Sequence, residues 1–237
     1  MILTCQQLAR RIDHTLLKPE AGESQVRLLV AEALRYQFAS VCINPRWVKL
    51  VSSLLAVPNP QPEAMPGDAR PVVCACVGFP FGAGSAASKA FEARECLGDG
   101  AAEIDMVIFL PAVISGDLET ARADVRAVVE ASRAITKRVV VKVILETALL
   151  TPEQIELGCR AASEAGADFV KTSTGFHPAG GASVEAVRLL KAHARGMRVK
   201  AAGGIRDLST AQAMLEAGAD RLGCSASVAI VESWGRV

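Results

Sequence analysis

The sequence predicts an α/β protein: a parallel (β/α)8 barrel, or TIM barrel, forming a single domain over residues 1–237. Three observations predict it. Short apolar runs of strand length alternate with longer amphipathic segments, the pattern of βα units and a parallel sheet. Eight such runs fit into 237 residues, close to the roughly 250 typical of one barrel. A helix–glycine–strand joint also recurs: Glu164-Ala165-Gly166-Ala167-Asp168 returns 52 residues later as Glu216-Ala217-Gly218-Ala219-Asp220, with a looser copy at Gly100-Ala101-Ala102-Glu103. Fifty-two residues is two βα units. A doubly wound open sheet is the alternative, disfavoured because no Gly-x-Gly-x-x-Gly follows the first strand.

The first strand is read at Arg11-Ile12-Asp13. Residues 24–39 place Val26, Leu29, Val30, Ala33 and Leu34 on one helical face. Val41-Cys42-Ile43 is the second strand. The segment from Pro58 to Pro71 holds five of the eleven prolines and reads as an exposed excursion, too short for an inter-domain linker. The third strand, Val72 to Val77, is wholly apolar, as a strand covered on both faces requires. Glu103 to Ile108 and Val139 to Leu145 follow. Thr151-Pro152-Glu153-Gln154 reads as a helix start, with an N-cap threonine, proline in the first turn and a capping-box glutamine. Gly166, Gly196 and Gly218 each stand where a left-handed helix C-cap is wanted. The strands after them are Asp168 to Lys171, Arg198 to Ala201, and Asp220 to Gly223.

Composition narrows the function. Apolar residues make up 51% and charged residues 22%, enough for a large core. Twenty-six basic against 25 acidic residues give a net charge of +1, and aromatics are only 4%. That disfavours nucleic acid and anionic membrane as partners. No 18-residue uncharged apolar stretch predicts a membrane span. The N-terminus lacks a basic start followed by an apolar run. Seven cysteines, an odd number, argue against a disulfide framework and for a reducing cytoplasm. The three histidines, His14, His177 and His193, fall in separate segments and no thiol pair has ligand spacing, so no metal is expected.

Polar residues inside apolar strands carry the chemistry, because burial penalises them. Lys142, Lys171 and Lys200 are spaced 29 residues apart, one βα unit each. They therefore occupy equivalent places on the fifth, sixth and seventh strands. If all three face inward, repulsion and desolvation are expected to lower at least one pKa. A neutral lysine amine attacks carbonyls and forms Schiff bases. A single such lysine would read as one whose head snorkels outward; three in register favour the functional reading. Asp105 interrupts the fourth strand and can move protons or balance charge. Asp13 on the first strand has the same options, with a structural ion pair the main competitor. Gly203-Gly204 ends the seventh strand and Gly223-Cys224-Ser225 the eighth. These are the loops that commonly hold phosphate in barrels, near a helix N-terminus.

Several motifs in order, from near residue 12 to about 226, resemble the deoxyribose-phosphate aldolase family. They are Asp13-His14-Thr15-Leu16-Leu17-Lys18-Pro19, Val41-Cys42-Ile43-Asn44-Pro45, Val77-Gly78-Phe79-Pro80-Phe81-Gly82, Glu103 to Ile108, Val170-Lys171-Thr172-Ser173-Thr174-Gly175-Phe176, and Val199-Lys200-Ala201-Ala202-Gly203-Gly204-Ile205-Arg206. The resemblance implies a class I aldolase, free of metal and cofactor. It would reversibly cleave 2-deoxy-D-ribose 5-phosphate to acetaldehyde and D-glyceraldehyde 3-phosphate. Lys171 matches the Schiff-base nucleophile, Lys200 the lysine that perturbs it, and Asp105 the proton relay. Asp13, Thr15, Lys142 and Thr172 are expected at the substrate, and Gly203, Gly204, Gly223 and Ser225 at its phosphate. The implied partner is a small sugar phosphate, and the implied assembly a homo-oligomer, dimer or tetramer. The alternatives are another Schiff-base aldolase with a different phosphorylated substrate, or a catalytically silent barrel that binds. The chain departs from the family pattern at Phe109 and Pro111, where Asn and Gly are usual, at His177, and at Cys224 and Ser227 in the phosphate loop. These changes bear on substrate affinity rather than reaction type. Cys42 lies in a motif but reads as a small core residue.

Overall fold

A computed structural model describes residues 3–57 and 70–234. The expected excursion after Pro58 falls almost wholly outside the described residues. Eight parallel strands close into a barrel in sequence order, β1 pairing with β8. They are β1 (Ile12–Leu16), β2 (Ser40–Ile43), β3 (Val72–Val77), β4 (Glu103–Val107), β5 (Val140–Ile144), β6 (Phe169–Lys171), β7 (Arg198–Ala202) and β8 (Arg221–Cys224). The strands fall where the apolar runs predict, within one to three residues at each end.

Alternation along each strand builds two different interiors. Ile104 and Met106 on β4, Val141 and Val143 on β5, and Val199 and Ala201 on β7 belong to the large apolar core between strands and helices. The residues between them, Glu103, Asp105, Lys142 and Lys200, meet one another inside the barrel. Beside them Leu17, Cys42, Cys74 and Cys76 form a separate small apolar cluster against Phe79. The barrel axis is therefore filled by charge on one side and by thiols on the other.

The helices end as the glycines predict. Gly100, Gly166 and Gly218 all have φ between 85 and 111°, which only glycine adopts at low cost. Each joint makes the same two bonds. Gly166 N donates to Ser163 O and Ala167 N to Ala162 O; Gly218 and Ala219 bond Leu215 and Met214, and Gly100 and Ala101 bond Leu97 and Cys96. This is the Schellman pattern. The aspartates closing the two full copies also act alike. Asp168 accepts from Val141 N at 2.8 Å and Asp220 from Val199 N at 2.9 Å, each tying its own strand to the start of the preceding one. The helix Pro152–Glu164 has the predicted capping box on Thr151 and Gln154.

Two short helices were not read from sequence. Cys5–Ala9 precedes β1, and Leu110–Ser115 follows β4. The second carries two departures from the family pattern. Pro111 lies in its first turn, where a missing N–H removes no helical bond. Phe109 N donates to Asp124, which is paired with the buried Lys89 at 2.8 Å.

Replacing Asp168 by alanine leaves the Val141 N–H without its acceptor. Urea unfolding should show a loss of about 1–3 kcal/mol, with no change in the cavity described below.

Candidate active site

Strand register brings the charged side chains together. Lys171 pairs with Lys200 across β6 and β7, Asp105 with Lys142 across β4 and β5, and Lys200 with Arg221 across β7 and β8. The three lysines converge on one carboxylate. Asp105 Oδ1 accepts from Lys142 Nζ at 2.7 Å, and Oδ2 accepts from Lys171 Nζ at 2.8 Å and Lys200 Nζ at 2.7 Å. Lys142 also pairs with Glu103 at 2.7 Å, and Lys200 with Asp13 at 2.5 Å. Arg221 closes the set from β8, reaching Asp13 at 2.5 Å and Glu103 at 3.2 Å. Asp13, Asp105, Lys142 and Lys200 are fully buried, and Lys171 is 2% exposed.

The expected fall in a lysine pKa is not what this arrangement produces. Burial is the largest influence and opposes the charge on each lysine, yet Asp105 together with the other groups around each amine outweighs it, and all three pKa values lie above the ordinary lysine range. The rise is large for Lys142 and Lys200 and smaller for Lys171. The geometry explains the order. Lys142 and Lys200 each have a second carboxylate, in Glu103 and Asp13; Lys171 has Asp105 alone and faces Lys200. Of the three, Lys171 needs the least free energy to lose its proton.

Above this cluster opens a cavity of about 360 Å³. At its floor lie Lys171 and Thr15, and toward one end Gly203, Gly204, Gly223 and Ser225. Lys171 is the one cation of the buried cluster on its wall. Lys18 and Arg206 also line it. Both stand in motifs quoted above, but neither was singled out, because a single charge in a loop carries no periodic signal. Thr174 lines the cavity too, and is held by Glu146 Oε2 at 2.5 Å. Glu146 is buried after β5 with a φ of 54°. Phe176 stacks edge-on against Phe79 with centroids 5.1 Å apart, and separates the cavity from a smaller one of about 250 Å³ that holds His177.

Three residues expected at the substrate do not reach the cavity. Asp13 and Lys142 lie below its floor, in the ion cluster. Thr172 clasps β6 to β7: its hydroxyl donates to Ala202 O and accepts from Ala202 N, both at 3.0 Å. The phosphate-loop departures also face away. Cys224 is buried in the outer core, and the Ser227 hydroxyl donates to Cys224 O at 2.9 Å. The glycines divide in the same way. A Cβ on Gly203 would stand 3.0 Å from Gly181 Cα, and one on Gly223 3.1 Å from the Lys200 stem, so both make room for protein. A Cβ on Gly204 would meet nothing within 4 Å, and that residue faces open space.

Two sets of possible metal donors that spacing did not reveal gather here among the described residues: Asp13, Cys74 and Glu103, and Cys42, Cys76 and Asp105. Lys142 Nζ already sits against Cys74, Glu103 and Asp105, and Lys200 Nζ against Asp13 and Asp105. The chain supplies its own cations to these donors.

A lysine on a β strand, open to a cavity at the C-terminal mouth of a (β/α)8 barrel and backed by a buried carboxylate, defines a barrel aldolase. The chain belongs to the DeoC/LacD aldolase family, whose model matches residues 8–232. It is similar to deoxyribose-phosphate aldolase 1 of Bacillus licheniformis, 48% identical over 228 residues and 96% of each chain. A deoxyribose-phosphate aldolase of a Thermoanaerobacter species is 47% identical over 97% of this chain and 98% of its own. Among solved structures, the tetrameric deoxyribose phosphate aldolase of Aeropyrum pernix superposes with a TM-score of 0.86 at 35% identity, covering 98% of this chain and 92% of that one.

Removing the shared anion should be costly. Burial opposes ionisation of Asp105, but the three ammonium groups outweigh it and hold its carboxyl well below the usual range. Its stabilising effect is therefore complete above about pH 4, the unfolded value, and is lost as pH falls through the lowered folded value. The raised lysines act the other way: their contribution is complete below about pH 10.4 and lost as pH rises through their folded values. Asp105→Asn should lose about 3–5 kcal/mol on the plateau between and show a flatter acid limb in urea titrations. A variant as stable as the parent at pH 7 would contradict the shared-anion role.

Proposed function

We propose that the protein reversibly cleaves 2-deoxy-D-ribose 5-phosphate to acetaldehyde and D-glyceraldehyde 3-phosphate through a Schiff base on Lys171. One observation carries the reading: of the four cations in the buried cluster, Lys171 alone opens onto the cavity. The neutral Nζ adds to the aldehyde carbon of the open-chain sugar, and loss of water leaves a protonated imine. That cation draws electrons from the C2–C3 bond. As the C3 hydroxyl loses its proton the bond breaks, releasing glyceraldehyde 3-phosphate and leaving an enamine on Lys171. Protonation at the terminal carbon and addition of water free acetaldehyde and restore the amine. Asp105 and Lys200, at 2.7 Å from each other, form the acid–base pair next to Nζ, and Thr15 is placed to meet a substrate hydroxyl.

The phosphate belongs at the other end, against the Gly203, Gly204 and Ser225 backbone with Lys18 and Arg206 near. Backbone N–H groups and two cations are the recognition set such a dianion requires. A related aldolase with another phosphorylated substrate would use the same lysine, and a silent barrel would use none; a coupled assay for acetaldehyde release separates all three. A homo-oligomer is supported by the tetrameric Aeropyrum pernix relative and by the exposed Leu28 and Phe91. A cytoplasmic setting is supported by seven free thiols, with Cys42 and Cys76 sulfurs 3.6 Å apart and unbridged. No helix among the described residues is long and apolar enough to cross a membrane.

Borohydride reduction with acetaldehyde should add one two-carbon adduct, and peptide mapping should place it on Lys171. An adduct on Lys142 or Lys200 would overturn the assignment. Gly204→Val puts a branched side chain into the anion end of the cavity, at a φ of 80°. It should lower kcat/KM for the phosphorylated sugar by roughly 10–100-fold, the worth of one or two charge-assisted bonds. The slow reaction of unphosphorylated 2-deoxyribose should change little. Equal losses on both would mean that the change damaged the fold or that the phosphate binds elsewhere.

A further inference from the structure

We propose that Arg221 and Glu103, which line neither the cavity nor the surroundings of Lys171, are positioning residues whose opposite charges set how readily Lys171 gives up its proton. The catalytic consequence rests on the function proposed above; the charge effect itself does not.

Arg221, Lys142, Lys171 and Lys200 face Asp13, Glu103 and Asp105 in a closed network. Four cations against three anions leave one positive charge in excess. Of the thiols beside the cluster, Cys42 on β2 and Cys74 on β3 both have raised pKa values and add no charge near neutral pH. Despite a hydrogen bond from Cys74 that favours its thiolate, Cys42 is pushed up to about 12 by its contact with Cys76 and by burial. Burial likewise raises Cys74, which donates to Asp105 at 3.1 Å. An excess of one is neutralised by releasing one proton. Lys171 is the group to release it, having one carboxylate partner and, of the cluster's cations, the only place on the cavity wall.

Arg221 is what keeps the excess at one. It acts along two arms that meet at the Lys171 partner: Asp13, Lys200 and Asp105 on one side, Glu103, Lys142 and Asp105 on the other. Its guanidinium does not titrate near neutral pH, so it is a fixed charge. Without it the cluster would be neutral with all three lysines charged, and deprotonating Lys171 would strand a buried negative charge. Without the Glu103 charge the excess would be two, and release would be easier. Arg221 is 13% exposed at its side chain, so a substitution there need not empty the core.

The test reads Lys171 directly. Reductive methylation with formaldehyde and cyanoborohydride, followed by peptide mass mapping over a pH series, gives the titration of that amine in the full-length protein. Arg221→Met should move the titration to higher pH by about one unit, the effect of a unit charge across a barrel interior. Glu103→Gln should move it lower by a similar amount. The double variant restores an excess of one and should return it to near the parent value, as should Arg221→Lys. With the sugar phosphate, Arg221→Met should lower kcat near pH 7 about tenfold, with KM little changed. If Arg221→Met fails to fold, the nearly isosteric Glu103→Gln decides by itself. Shifts of one sign in both single variants, no shift, or no recovery in the double variant would overturn the inference. Opposed shifts in the two single variants, with a parent protein that releases no acetaldehyde, would instead sink the proposed function and leave the charge effect standing.

Discussion

Everything at the centre of this barrel depends on one carboxylate shared by three ammonium groups. Asp105 holds Lys142, Lys171 and Lys200 within 2.8 Å. Any one of those lysines would be prohibitively costly to bury alone. Together with Asp13, Glu103 and Arg221 they form a set in which each charge has at least one opposite neighbour. Such a cluster contributes less to stability than the same volume of hydrocarbon would. Its value lies in reactivity: it keeps an amine in a dry place, held by fewer carboxylates than its two neighbours, beside other charged groups.

The mouth of the barrel divides the remaining tasks by depth. Below the floor lie the paired charges that do not line the cavity. At the floor, Lys171 and Thr15 meet the cavity. Above it, the loops after β6 and β7 lie backbone against backbone at Gly175, Gly181 and Gly203, and Ala182 N donates to Gly203 O at 2.9 Å. That contact makes this end of the cavity a firm wall.

The closed barrel and its strand order could be read from the spacing of apolar runs, and the inward lysines from their 29-residue interval. Asp105 stood out because a carboxylate in an apolar run is expensive. Depth could not be read. Strand position says which face a side chain takes, but height along the axis depends on barrel tilt and stagger, and so Asp13 and Lys142 fell below the cavity where contact with substrate was expected. The direction of the lysine pKa shifts could not be read for a related reason. Three lysines read along the chain suggest repulsion, whereas Glu103 and Arg221, at the ends of their strands, become partners only when β1, β4 and β8 face each other across the axis. Thr172 and Gly203 sit in motifs that suggest ligand contact, yet their neighbours are the adjacent strand and loop.

The repeated aspartate clips have a consequence for change over time. Asp168 and Asp220 fasten β6 to β5 and β8 to β7 at the ends of the strands where the chain enters the barrel, and every loop that touches the cavity lies at the exits. Lengthening or rewriting an exit loop therefore leaves those fastenings in place. A lineage built on this chain can explore new acceptor aldehydes by altering the rim while its foundation is held by residues that selection on substrate never sees.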